Sequence, residues 1–94
     1  MIIGICVIEL HVPSSRSLKH KRQVIKSLKD RIRLNFNVSV AEIDSLNLWQ
    51  KATLGLAAVS NDKKYIDAIF EKIILLLKDN RAVNIIDYSV EILY

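Results

Sequence analysis

Two stretches whose apolar residues recur every three or four positions, each flanked by runs rich in β-branched residues, leave this chain few folds to choose from. Ile2–Val12 is crowded with Ile and Val and is apolar on both parities, the pattern of a central strand. Pro13-Ser14-Ser15 ends it, because proline brings no N–H to a ladder. Ser17 is placed to cap a helix from Leu18 to about Asn35. A second strand is expected over Phe36–Ile43, then a loop over Asp44–Leu48 with Ser45 and Asn47 as turn formers, then a third strand over Trp49–Ser60. Asn61-Asp62 caps a second helix over Lys63–Asp79, whose Ile66, Ile69, Phe70, Ile73 and Leu77 share one face. Asp79-Asn80-Arg81 turns into a last strand, Val83–Tyr94. The order βαββαβ is that of a ferredoxin-like α+β sandwich: a four-stranded antiparallel sheet with two right-handed crossovers and both helices on one face.

Length and composition narrow the classes. Ninety-four residues make a single domain, 1–94, with no room for two cores. Half the chain, 51%, is apolar, which is enough for a core and too much for disorder. No apolar run approaches the roughly 20 residues of a membrane span. Met1–Val12 has no basic leader or small-residue cleavage site, so it reads as a strand and not as a signal peptide. Cys6 is the only cysteine, which excludes an internal disulfide and gives no sign of secretion. Gly4 and Gly55 fall inside strands, where they mark a bulge or close helix-on-sheet packing.

Charge is distributed unevenly. Between Arg16 and Arg33 there are eight Lys or Arg and one acid, Asp30, so the stretch is +7 while the whole chain is +4. On a helical projection Leu18, Val24, Ile25, Leu28 and Ile32 form the apolar arc. Lys19, Arg22, Lys26, Lys29 and Arg33 form a second, narrower arc beside it, with Lys21 at the edge and Asp30 at the margin. Like charges at these spacings repel by roughly 0.2–0.5 kcal/mol per pair. The second helix balances four Lys with three acids, so an unbalanced row is not a general habit of the chain. A row of one sign fits an anionic partner, RNA above all, with Arg16, Lys19, Lys21, Arg22, Lys26, Lys29 and Arg33 as the phosphate contacts. The plainer alternative is a solvated face that keeps a small domain soluble.

Catalytic chemistry finds little footing. Cys6, His11 and His20 are too few for a metal site, and Cys6 and His11 lie on opposite parities of one strand. There is no nucleophile elbow, phosphate-binding loop or glycine-rich dinucleotide turn. Asp87 and Glu91 share a parity of the last strand, with Tyr88, Val90 and Ile92 turned to the helices. The Ser14–Ser17 turn at a helix start is suited to an anion. That leaves hydrolysis of a phosphoester or acyl phosphate, dependent on Arg16, as a remote alternative. No catalytic residue, metal or cofactor is expected. The strands that carry base-stacking aromatics in RNA-recognition motifs carry none here, so nucleic acid is expected on the first helix and not on the sheet.

Several blocks resemble the bacterial YlxP-like family: Ser17-Leu18-Lys19, Lys21-Arg22, Ser27-Leu28, Phe36-Asn37-Val38-Ser39-Val40-Ala41-Glu42, Trp49-Gln50, Leu54-Gly55 and Val59-Ser60-Asn61-Asp62. The resemblance spans essentially the whole chain. It implies a ferredoxin-like, cytoplasmic protein of unassigned function, from a family often encoded beside translation-initiation and ribosome-maturation genes. That context fits an RNA or ribosome partner, and the family brings no catalytic residues. The competing expectation is a protein-interaction module or homodimer. In it Ile3, Ile5 and Val7, or the alternate set, pack beside Leu54 and Leu56 on an open sheet face, with Trp49 as partner-binding residue. Against it stands a loop, Leu46 to Trp49, folded over that face.

Overall fold

The computed structural model describes all residues, 1–94. Its elements are β1 (Ile2–His11), α1 (Leu18–Asn35), β2 (Ser39–Asp44), β3 (Lys51–Ser60), α2 (Lys63–Lys78) and β4 (Asn84–Leu93). The sheet runs β2-β3-β1-β4, and every neighbouring pair is antiparallel. This is the expected ferredoxin-like α+β sandwich.

Three strand starts move inward from their expected positions, that of β4 by one residue, from Val83 to Asn84. Phe36 closes α1 with its N–H on the Ile32 carbonyl, and Val38 then turns back on Phe36, so β2 begins at Ser39. Trp49 belongs to the β2–β3 loop, and β3 begins at Lys51. Ser45 takes the left-handed turn, with φ 62°.

The alternation of β1 decides which face is which. Cys6, Ile8, Leu10 and Val12 are buried under the helices, while Ile3, Ile5 and Val7 point the other way. On β3, Leu54 and Leu56 pair with Ile8 and Cys6 and are buried with them. They therefore do not join the open face, as one reading of the sequence had them do. The open-face neighbours of Ile3, Ile5 and Val7 are Val59, Ala57 and Gly55. Ile25, Leu28 and Ile32 of α1 and Ile66, Ile69, Phe70, Ile73 and Leu77 of α2 complete the core. Gly4 lies under α2, and Gly55 lies under Ile43, the extra residue of a bulge in β2.

Candidate nucleic-acid interface

The first helix carries the basic segment, and its start is set by Ser17, whose Oγ accepts the His20 N–H at 3.0 Å. The first turn holds no acid. Lys19 instead adds positive charge where the helix dipole is already positive, which costs about 0.3–1 kcal/mol at an exposed site.

Lys21 is the main correction to the sequence reading. It is not at the edge of a phosphate surface: it is fully buried, at 0% exposure. Its ammonium donates to Glu42 Oε2 at 2.9 Å and to the carbonyls of Ser45 at 2.8 Å and Lys51 at 3.1 Å, with Leu46 O at 3.4 Å. A desolvated ammonium survives only if its protons are satisfied, and these acceptors satisfy them. The pattern was there to be read. Lys21 stands four residues before Ile25 and seven before Leu28, on the apolar stripe, and Glu42 shares the inward parity of Val40.

The remaining row divides in two. Asp30 is not marginal to it: its carboxylate holds Lys26 at 2.8 Å and lies 3.7 Å from Arg33. The Lys26 hydrogen bond, with the charges of Lys26, Arg33 and Lys29, holds the Asp30 carboxyl below the usual aspartate value. Arg33 also donates from Nη2 to the Val40 carbonyl at 2.8 Å, tying the end of α1 to the edge strand β2. Arg16, Lys19, Arg22 and Lys29 have no ion-pair partner. Arg31 is exposed and likewise unpaired, Lys29 is half-buried, and seven bases of the segment reach the surface once Lys21 is set aside.

Three of the unpaired bases, Arg16, Lys19 and Arg22, lie at the start of α1, at the end of the domain where the β2–β3 loop meets it, and Lys29 lies further along the helix. Gln50 Nε2 donates to the carbonyls of Pro13 at 3.2 Å and Ser15 at 3.0 Å, and Val12 N–H returns a bond to Gln50 O at 2.8 Å. The loop is thus fastened to both α1 and the turn before it. Its Leu46, Leu48 and Trp49 remain exposed, Trp49 at 56%, so the loop does not fold over Ile3–Val7. At its start Ser45 Oγ lies 3.4 Å from Oγ1 of Thr53. Trp49 lines a shallow depression at the end of the open face with His11, Leu48, Lys51 and Ile86.

Two of the three serines in the turn before α1 are spent within the protein, and Ser14 stays exposed. Ser15 is buried and donates to Ser17 O at 3.0 Å, and Ser17 is spent on the helix cap. Cys6 faces the helices, where burial pushes its thiol up to about 11, and His11 lies on the opposite face. A groove between α2 and β4, floored by Phe70, Ile74, Leu75, Tyr88 and Val90, is mainly apolar. No helix is long and apolar enough to cross a membrane.

These features define a small ferredoxin-like α+β domain that presents one unbalanced basic helix. The chain belongs to the family described as "Protein of unknown function (DUF503)", whose model matches residues 3–90. The "Uncharacterized protein YlxP" of Bacillus subtilis (strain 168) is 32% identical over 76 residues, covering 81% of this chain and 83% of its own length. Its name agrees with the YlxP-like resemblance of the sequence blocks. Among solved structures, the "De novo designed protein Foldit4" matches with a TM-score of 0.57 at 13% identity, over 100% of this chain and 98% of its own. That likeness concerns the fold alone.

Proposed function

We propose that this protein is a non-enzymatic, cytoplasmic RNA-binding protein that associates with the ribosome or its RNA through α1. One observation carries the reading: seven surface bases on one segment face a single acid, and Arg16, Lys19, Arg22 and Lys29 have no internal partner. Their mutual repulsion and the charge at the helix start cost stability, and a polyanion removes both costs. Contacts of this kind read backbone charge and not sequence.

The test is retention on ribosomes and on purified ribosomal RNA at low and high salt. Arg22 and Lys29 are the residues to reverse, since Lys26 is already paired with Asp30. The Arg22→Glu/Lys29→Glu double variant should lose retention with no fall in its melting temperature. Unchanged retention would dispose of the assignment.

A second reading, a homodimer through the open sheet face, is favoured by the exposure of apolar side chains there. Val59 is 58% exposed, and Ile3, Ile5, Val7, Ala57 and Leu93 continue the patch on the same parity. Light scattering decides it: a monomer mass at high protein concentration removes this reading and leaves the first untouched.

A further inference from the structure

We infer, on the footing of the RNA reading above, that the end of the domain where the β2–β3 loop meets the start of α1 takes unpaired, single-stranded RNA, with one base stacked on Trp49 and the same strand's phosphates on Arg16, Lys19 and Arg22. Trp49 is the largest apolar side chain of the protein, and it is more than half exposed. Its loop is fixed nonetheless. Lys21 grips the carbonyls of Ser45 and Lys51 on either side of it, and Gln50, the next residue, is bonded to Pro13 and Ser15. An aromatic ring on a fastened backbone loses little freedom when a ligand covers it.

The same bonds place the loop and the start of α1 at one end of the molecule, the ring at the rim of the open face and the cations on the helix side, so that one strand wrapping that end reaches both. Lys21 belongs to the turn of α1 that carries Lys19 and Arg22, and Ser15 adjoins Arg16. The carboxylates nearby are engaged within the protein. Glu42 holds Lys21, Glu9 lies 3.6 Å from Lys51, and Asp44 and Asp87 accept the N–H groups of Ser45 and Tyr88 at 2.7 and 2.8 Å. The three cations have no such engagement. An exposed aromatic at the same end of the domain as unpaired cations matches a strand with bases free to stack and a charged backbone that continues past them. A duplex keeps its bases inside the helix and offers none to Trp49. An acidic protein surface would meet the cations alone.

Trp49 is the only tryptophan, so its emission reports on this position and no other. The full chain is titrated at low salt with a labelled oligouridylate of about 12 nucleotides, a length within the range single-strand modules occupy. A blunt RNA duplex of the same length is titrated separately. Anisotropy reads binding, and Trp49 emission reads stacking. The expected result is tighter binding of the single strand with quenching of Trp49. Trp49→Ala should weaken that binding by roughly ten-fold and leave the duplex affinity unchanged, and Trp49→Phe should recover most of the loss. Binding of both RNAs without quenching, and unaltered in Trp49→Ala, overturns the stacking site while the RNA reading stands. No binding of either RNA at low salt overturns both.

Discussion

Lys21 and Glu42 form an ion pair 2.9 Å long inside the domain, with the lysine side chain wholly covered and the glutamate nearly so. The pair joins the first turn of α1 to the inward parity of β2. Through the carbonyls of Ser45 and Lys51 it also fixes the shape of the loop between β2 and β3.

Removing the ammonium leaves a buried carboxylate and several loop carbonyls without a donor. Lys21→Met is therefore expected to destabilise the domain by on the order of 3 kcal/mol, read as the shift of the urea unfolding midpoint. Lys21→Met/Glu42→Leu should recover part of the loss, because the stranded charge is gone while the loop carbonyls are still unsatisfied. A single variant as stable as the parent would mean that the pair does not hold the loop.

The architecture was legible because each element carries its own period. The parity of β1 and the stripe from Ile25 to Ile32 point to one interior, and Ser17 and Asp62 cap the helices where the sequence placed them. Lys21 was misread because the projection sorted it by charge, although its position put it on the apolar stripe. Its acid is 21 residues away, on a strand, and helical spacing alone does not disclose such a partner. Asp30 was misplaced for a related reason. A long Lys26 or Arg33 side chain bends toward a carboxylate four or three residues off, so neighbouring arcs of a projection merge at the surface. The exposure of Trp49 depended on where β3 begins, and two residues of difference there turned a strand residue into a loop tip.

Asp30 restrains the basic row, so removing its charge should strengthen any polyanion contact. Asp30→Asn frees Lys26 and Arg33 and is expected to raise retention on ribosomal RNA at moderate salt. The log–log salt dependence should steepen by roughly 0.7–0.9 for each additional phosphate neutralised. The folded-state pKa of Asp30 is depressed, so its contribution to stability is present above the unfolded-state value and is lost as pH falls through the folded-state value. A carboxyl titration followed by NMR should place Asp30 below the ordinary aspartate value. An Asp30→Asn variant with weaker retention would show that the pair orders the row instead of restraining it.

Cys6 is shielded by burial, and its thiol, raised to about 11, stays protonated at neutral pH. Reaction with a thiol reagent should be slow in the native protein at pH 7 and rapid in denaturant. The native rate then measures opening of the sheet beneath the helices, and it should rise in Lys21→Met. Rapid labelling of the native wild type would contradict the burial of β1.

The two glycines make the same substitution unequal at two places in one sheet. A Cβ on Gly4 would run into Ile66 and into Phe70 Cε2 at 2.9 Å, both buried in the packing of α2 on β1. Neither side chain has room to turn away, so α2 must lift, and overpacking of this kind costs about 1–3 kcal/mol. A Cβ on Gly55 would meet Ile43 Cγ2 at 2.9 Å, an equally short approach. But Ile43 is the extra residue of a bulge on an edge strand and is 53% exposed, so it can rotate into solvent. Thermal unfolding should therefore separate the variants: Gly4→Ala melts several degrees lower, and Gly55→Ala stays near the parent. A large loss in Gly55→Ala would mean that the open face at Ile43 is held by something more than its own strand, a covering partner copy included. Light scattering of that variant would then show the mass of the assembly fall.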